Sequence, residues 1–230
     1  RYAATGAYAA AAIPARVALE RKDWKTAAEL KPQTIRDEGY INAITYYARG
    51  IGAAHLGNID EAKNAIEALR SVEELTHDNY WSGRVKIKRT ILEARIAMAS
   101  GEPDKALETM QLAAELDDLS EKSARSPGPE APARELLGQL LLELERPSDA
   151  LEEFRRSLAR DPRKFHSVFG AALSAEKSGD IATAADLYRQ LVDMCDSKEA
   201  EARTEVRHAR RFLKNAEGGR SIRSTVPLYD

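Results

Sequence analysis

Gly179-Asp180-Ile181-Ala182-Thr183-Ala184 reads as the stop of one helix and the capped start of the next. Glycine accepts the left-handed backbone that ends a helix, aspartate is an N-cap type, and the alanine falls one turn inside. The same short passage occurs four more times: Lys22-Asp23-Trp24-Lys25-Thr26-Ala27, Gly57-Asn58-Ile59-Asp60-Glu61-Ala62, Gly101-Glu102-Pro103-Asp104-Lys105-Ala106 and Glu145-Arg146-Pro147-Ser148-Asp149-Ala150. The closing alanines lie 35, 44, 44 and 34 residues apart. Such spacings are close to the period of stacked helix pairs. A small side chain at each of these positions lets paired helices approach closely, so an array of helical hairpins is expected.

Reading outward from the turns places helices near 2–21, 24–30, 38–56, 59–75, 79–100, 103–118, 131–145, 147–160, 163–178, 181–195 and 199–216. Asn58 with Glu61 three residues on resembles a capping box, Asp23 and Asp180 suit N-caps, and Pro103 and Pro147 suit a first helical turn. Pro14 is expected to kink or split the first helix, because it deletes a backbone donor and crowds the previous turn. Inside the second helices, Ile66 and Leu69 follow Ala62, Met110 and Ala113 follow Ala106, and Tyr188 and Leu191 follow Ala184, four and seven residues on. These spacings put each set on one face.

Composition agrees with an all-α chain. Of 230 residues, 43% are hydrophobic but only 6% aromatic, which suits a core of alanine, leucine and isoleucine between close helices. Alternating strand-type runs are almost absent, and no apolar stretch nears the roughly 18 residues that span a bilayer. A net charge of −2 gives no general attraction to nucleic acid or membrane, so neither is expected as a partner. Cys195 is the one cysteine, which excludes an internal disulfide and fits a reducing compartment such as the cytoplasm. It stands at a helix end beside Asp196, where both neighbours raise a thiol's pKa, so core packing is its expected role. The sequence opens on Arg1 and not on methionine, as a fragment or processed form would.

Leu137-Gly138, Ala150 twelve residues later, Phe154 and Pro162 together resemble the tetratricopeptide repeat. Gly50 and Ala62 repeat the same Gly-to-Ala spacing. The units at 147–160 and 181–195 match best, while the first unit and the two 44-residue spacings depart from the family period. The resemblance covers most of residues 8–196 and implies an α-α superhelix of antiparallel helix pairs with a concave groove. On this reading residues 1–216 form the repeat domain, interrupted by an irregular loop at about 119–130, and 217–230 form a flexible tail. The loop reads equally well as a functional element or a spacer. A stripe of Ala202, Val206, Ala209 and Leu213, with Arg203, Arg207, Arg210 and Lys214 on another side, reads as a solvating capping helix. A narrower likeness concerns Glu121-Lys122, Pro127-Gly128-Pro129 and the stretch from Pro132 to Gly138, which resemble a segment of large bacterial tetratricopeptide-containing proteins of unassigned activity. Where those carry a histidine and a proline after the Glu-Lys, Ser123 and Ala124 stand here.

No enzyme signature is present. His55, His77, His166 and His208 are scattered, without an i, i+4 pair or a His-Glu-x-x-His stretch. Phosphate-binding glycine loops and Gly-x-Ser-x-Gly elbows are absent, and no catalytic residue, metal or cofactor is expected. Asp117-Asp118 and Glu152-Glu153 point different ways on a helix and read as solvated faces and helix-end charges. Arg84, Lys86, Lys88 and Arg89 after Tyr80-Trp81 are of the type that grips nucleic acid. Val85, Ile87, Ile91 and Leu92 interleave them, so the stretch reads instead as an amphipathic helix with a solvated face.

The resemblance implies where a ligand would sit, on positions 2, 5, 9, 12 and 13 of each first helix. Those positions include Tyr47, Ile51 and His55; Lys88, Ile91, Arg95 and Met98; Glu135, Gln139 and Glu143; and His166, Phe169, Leu173, Glu176 and Lys177. The candidate binding residues are Tyr47, His55, Lys88, Arg95, Glu135, Gln139, His166, Phe169, Glu176 and Lys177, with packing against neighbouring repeats as the alternative. Their mixture suits a peptide or helix with apolar and polar contacts. The subclass that grips chaperone tails needs lysine at position 5 and asparagine at position 9, and Tyr47, Ile91, Glu135 and Phe169 at position 5 argue against it. The leading expectation is a non-enzymatic protein- or peptide-binding scaffold. The alternative is the helical C-terminal portion of a larger enzyme or metalloprotein, and a third reading is a self-associating structural module.

Overall fold

A computed structural model describes residues 2–34, 39–120, 131–195 and 203–217. Residues 121–130 of the expected loop, Ala202 of the expected cap and the tail from residue 218 lie outside them. The described elements are α1 (Tyr2–Glu20), α2 (Trp24–Glu29), a 3₁₀ turn (Gly39–Asn42), α3 (Ala43–His55), α4 (Ile59–Leu75), α5 (Asn79–Ala99) and α6 (Pro103–Leu119), followed by α7 (Ala133–Glu143), α8 (Pro147–Arg160), α9 (Phe165–Lys177), α10 (Ile181–Asp193) and α11 (Thr204–Glu217). No strand occurs among the described residues, and no helix is long and apolar enough to cross a membrane. The fold is all-α, and successive helices within the units, such as α3–α4, α4–α5, α5–α6, α8–α9 and α9–α10, pack against one another.

All five repeated passages adopt one geometry. Their first residues take left-handed backbone: φ is 54° at Lys22, 76° at Gly57, 76° at Gly101, 56° at Glu145 and 82° at Gly179. The next residue's N–H reaches back five positions each time, Asp23 to Ala18, Asn58 to Ala53, Glu102 to Ala97, Arg146 to Leu141 and Asp180 to Ala175, at 2.8–2.9 Å. This is the Schellman arrangement, which satisfies carbonyls that a helix end otherwise strands. Ala27, Ala62, Ala106, Ala150 and Ala184 are all 0% exposed. The shared register is a packing register.

Asp23 and Asp180 cap their helices by accepting from the Thr26 and Thr183 N–H groups, and bonds from the backbone and hydroxyl of Thr26, and from the hydroxyl and backbone of Thr183, hold the two carboxyls below their usual pKa. Pro103 and Pro147 open α6 and α8. The Asn58–Glu61 capping box does not form: Asn58 makes no side-chain cap, and the Glu61 carboxylate lies 3.9 Å from Arg49 instead. Nor does Pro14 split α1, which runs unbroken through it. Ala10, whose carbonyl loses its helical partner, is on the exposed side together with Ile13 and Pro14, so water can satisfy that oxygen.

The chain divides into two compact units, Arg1–Ala133 and Arg134–Asp230. In the first, α1 packs on α3 through Ala11, Ala15, Ile44 and Ala48, and Gly50 receives the Leu92 side chain of α5. Buried Asn42 copies a backbone pairing with Gln33, accepting from its N–H and donating to its carbonyl, both at 2.8 Å. Asp117 is buried at the end of α6, where it accepts from Arg84 at 2.6 Å and from the Ala133 N–H at 3.0 Å. Its sequence-based reading as a solvated charge fails, because a long-range arginine reaches it. In the second unit, Phe154 fills the space that Gly138 and Gly170 leave open. Glu153, also expected in solvent, is half-buried and accepts from Arg134 at 2.6 Å. Cys195 is buried, and that burial pushes its thiol pKa up despite nearby Arg203 and Arg210.

Candidate functional site

The candidate positions divide into buried and accessible groups. Tyr47, Glu135, Phe169 and Glu176 are buried, as are Ile51, Ile91 and Leu173 around them. His55 is exposed, while Lys88, Arg95, Gln139, His166 and Lys177 are half-buried. Only the second group can touch a ligand without the helices moving.

In the first unit, accessible residues meet at one place. A Cβ at Gly52 would lie 2.5 Å from the Trp24 carbonyl oxygen and 2.7 Å from the Ala28 nitrogen, so only glycine lets α2 rest directly on α3. That contact brings the Trp24 ring over His55 one turn later, with centroids 3.9 Å apart and planes 6° from parallel. Arg95 of α5 extends a guanidinium nitrogen to 3.4 Å from His55 Nε2. Guanidinium only donates, so Nε2 is the acceptor and a neutral ring carries its proton on Nδ1. Packing around the imidazole, then the charges of Arg95 and Lys22, push its pKa down to about 4. His55 is therefore a neutral, flat acceptor at physiological pH and is poorly matched to general acid–base work there. Lys88 lies two turns before Arg95 on the same side of α5. The result is an aromatic stack with two cations, a surface suited to a carboxylate beside a flat or apolar group.

The second unit uses its candidate carboxylates inside. Glu135 is 1% exposed and accepts from Ser167 Oγ at 2.5 Å, and Ser167 is 3.0 Å from Ser157 Oγ. These three tie α7, α9 and α8 together. Glu176 accepts from Tyr188 Oη at 2.6 Å and faces His208 Nε2 at 2.7 Å. Arg211 lies 3.1 Å from His208 Nδ1, and because it can only donate, Nδ1 accepts and Nε2–H donates to Glu176. Burial pushes the Glu176 pKa up, but the bonds from His208 and Tyr188 outweigh it and hold the group below its usual value. Phe169 packs against the Tyr188 and His208 rings. His208 thereby anchors α11 to α9 and α10. The cap also buries Phe212 in place of the expected Leu213, which is half-buried.

The basic stretch of α5 is largely consumed by ion pairs. Arg84 pairs with Asp117, and Arg89 pairs with Glu73 at 2.8 Å and Glu93 at 2.6 Å. The Glu73 bond, followed by that to Glu93, raises the Arg89 pKa above its ordinary value. Trp81 stacks on Tyr40 with centroids 4.7 Å apart. Among the described residues, no group of three or more His, Cys, Asp or Glu could hold a metal ion.

Two members of these sites escape the sequence reading. Trp24 lies in a turn passage 31 residues from His55, and the repeat register says nothing about their contact. His208 is one of four scattered histidines, and its partners come from two other helices. The signals available were a tryptophan at a helix start and a lone histidine within a helix, each too common to single out.

Residues 135–199, which span α7 to α10, match the family model of the tetratricopeptide repeat. The chain is tetratricopeptide-repeat-like. A comparison with curated proteins found no match. The matched segment holds the turns at Glu145 and Gly179, the Phe154 packing and the Glu135 and Glu176 networks, so the repeat signature coincides with a region held together from within. Tetratricopeptide repeats are typically non-catalytic and mediate binding to protein partners.

Proposed function

We propose that this chain is a non-enzymatic protein-interaction scaffold that takes a carboxylate-bearing peptide segment on the Trp24–His55–Arg95 face of its first unit. The supporting observation is the convergence of an accessible stacked ring pair with Arg95, with Lys88 on the same side of α5. The other positions that resemble groove contacts, Gln139, His166 and Lys177, belong to the second unit and supply polar contacts there. Tyr47, Glu135, Phe169 and Glu176 act through packing, which shapes the faces without touching the ligand.

The test is affinity capture from the protein's own cell extract, with wild type beside a Lys88→Glu/Arg95→Glu variant. Both residues are half-buried on the helix surface, so the variant should keep its helical circular dichroism. Loss of specific partners from the folded variant is the expected result. Equal recovery by both proteins would remove this face from the proposal.

A further inference from the structure

The outer face of α6 combines an exposed polar stripe with two exposed leucines. Asp104, Glu108, Gln111, Glu115 and Asp118 follow one another at spacings of four, three, four and three, and all are exposed. That spacing draws a single stripe along the helix, opposite the buried Ala106, Met110, Ala113 and Asp117. Leu112 and Leu119 lie seven residues apart beside the stripe, 50% and 83% exposed. Two large aliphatic groups on the water side of a helix, one above the other, are costly unless something covers them.

Several acidic residues of other second helices find cations: Glu67 pairs with Arg70, Glu73 with Arg89, Glu152 with Arg156 and Glu153 with Arg134. Asp104, Glu108 and Glu115 have no ion pair or side-chain hydrogen bond among the described residues. Within α6 the one lysine or arginine is Lys105, which is turned to Glu102 at 2.7 Å. An apolar ridge flanked by uncompensated carboxylates is complementary to a helix of the opposite pattern.

We infer that the α6 face docks a basic amphipathic helix of a partner protein, with two aliphatic residues seven apart seated against Leu112 and Leu119 and flanking lysines or arginines paired with Glu108 and Glu115. This surface is separate from the Trp24–His55–Arg95 face and of opposite charge, so one scaffold would engage two chemically different segments. Covering the leucines removes apolar area from water, and the carboxylates set orientation and association rate.

The test uses the full chain and a defined probe, a labelled three-heptad peptide with leucines seven apart, lysines beside them and alanines elsewhere, followed by fluorescence anisotropy. Leu112→Ser/Leu119→Ser and Glu108→Lys/Glu115→Lys should each weaken binding by about tenfold or more. Asp60→Lys/Glu74→Lys, the same charge change on exposed positions of α4, should leave it within about twofold. All substituted residues are exposed, so the folds should be unchanged by circular dichroism. A peptide whose leucines are changed to serine should bind no better than the leucine variant of the protein. The inference fails if wild type does not bind the probe, if the α4 variant loses as much as the α6 variants, or if the leucine variant keeps full affinity. It also fails if sedimentation shows a wild-type mass that grows with concentration and reverts to monomer in Leu112→Ser/Leu119→Ser, since the face would then be a contact between copies.

Discussion

The two units build the same turn and fill the space between turns differently. In the first, α4, α5 and α6 are 17, 21 and 17 residues long, and the interior is mostly aliphatic with arginine–carboxylate pairs at its margin. In the second, α7 to α10 are 11 to 14 residues long, and two buried carboxylates are held by serine, tyrosine and histidine. The family match falls wholly on the shorter set. A repeat is thus recognisable by length only where its helices keep the common length, whereas the Schellman turn and the buried alanine persist through longer ones. Shape in both units comes from glycine meeting a large side chain: Gly50 takes Leu92 in one, and Gly138 and Gly170 take Phe154 in the other.

The sharpest break of that comparison is removal of the large side chain. Phe154→Ala should cost the second unit about 3–5 kcal/mol and Leu92→Ala the first about 2–5 kcal/mol, read from urea unfolding. Both side chains are 0% exposed, so a cost near zero at either would mean that its glycine partners collapse into the space.

Next come the buried carboxylates. Glu176→Ala strands the Tyr188 hydroxyl and the His208 N–H and should cost about 2–4 kcal/mol. The pH dependence has a definite sign. Glu176 titrates below its usual 4.5 in the fold, so the unfolded chain takes up that proton first as pH falls. Its contribution is complete above about pH 4.5 and disappears as pH falls through the lower folded value. Stability measured from neutral to acidic pH should fall less steeply in Glu176→Gln. An unchanged slope would show that the group is not charged in the fold.

The shared alanine register gives a smaller effect of equal size in both units. Ala106→Leu and Ala150→Leu should each overpack their helix pair by about 1–3 kcal/mol, visible as a lower thermal midpoint. A neutral result at one and not the other would show that the longer helices of the first unit leave slack.

The smallest expected effects are at the turns and at His55. Lys22 and Glu145 hold left-handed backbone without being glycine, so Lys22→Gly and Glu145→Gly should each stabilise by about 1 kcal/mol, while Gly101→Ala should destabilise by a similar amount. His55, with a pKa near 4 against the usual 6.5, should remain neutral by NMR until strongly acidic pH. Its contribution to stability is present above about 6.5 and lost as pH falls from there toward 4. Arg95→Ala removes one of the charges that oppose protonation and should move that titration upward.

Turns, alanines and most helix bounds were legible because each rests on residues within a few positions of one another. Gly179, Asp180 and Ala184 state a stop, a cap and a close approach without reference to anything distant. The binding candidates were legible only as positions. Glu135 and Glu176 read as groove-facing candidates in a first helix, and what takes them inside is Ser167 on α9 and His208 on α11, each 32 residues away. Asp117 went the same way through Arg84, 33 residues before it.

By itself the sequence determined that this chain is helical, where its helices stop, and which small residues let them pair, since local backbone preference and side-chain size act over one or two turns. The tertiary structure alone decided which charged and aromatic residues remain at the surface. Desolvating a charge is tolerable only when a partner from another helix arrives to compensate it, and that meeting depends on packing that no short stretch encodes.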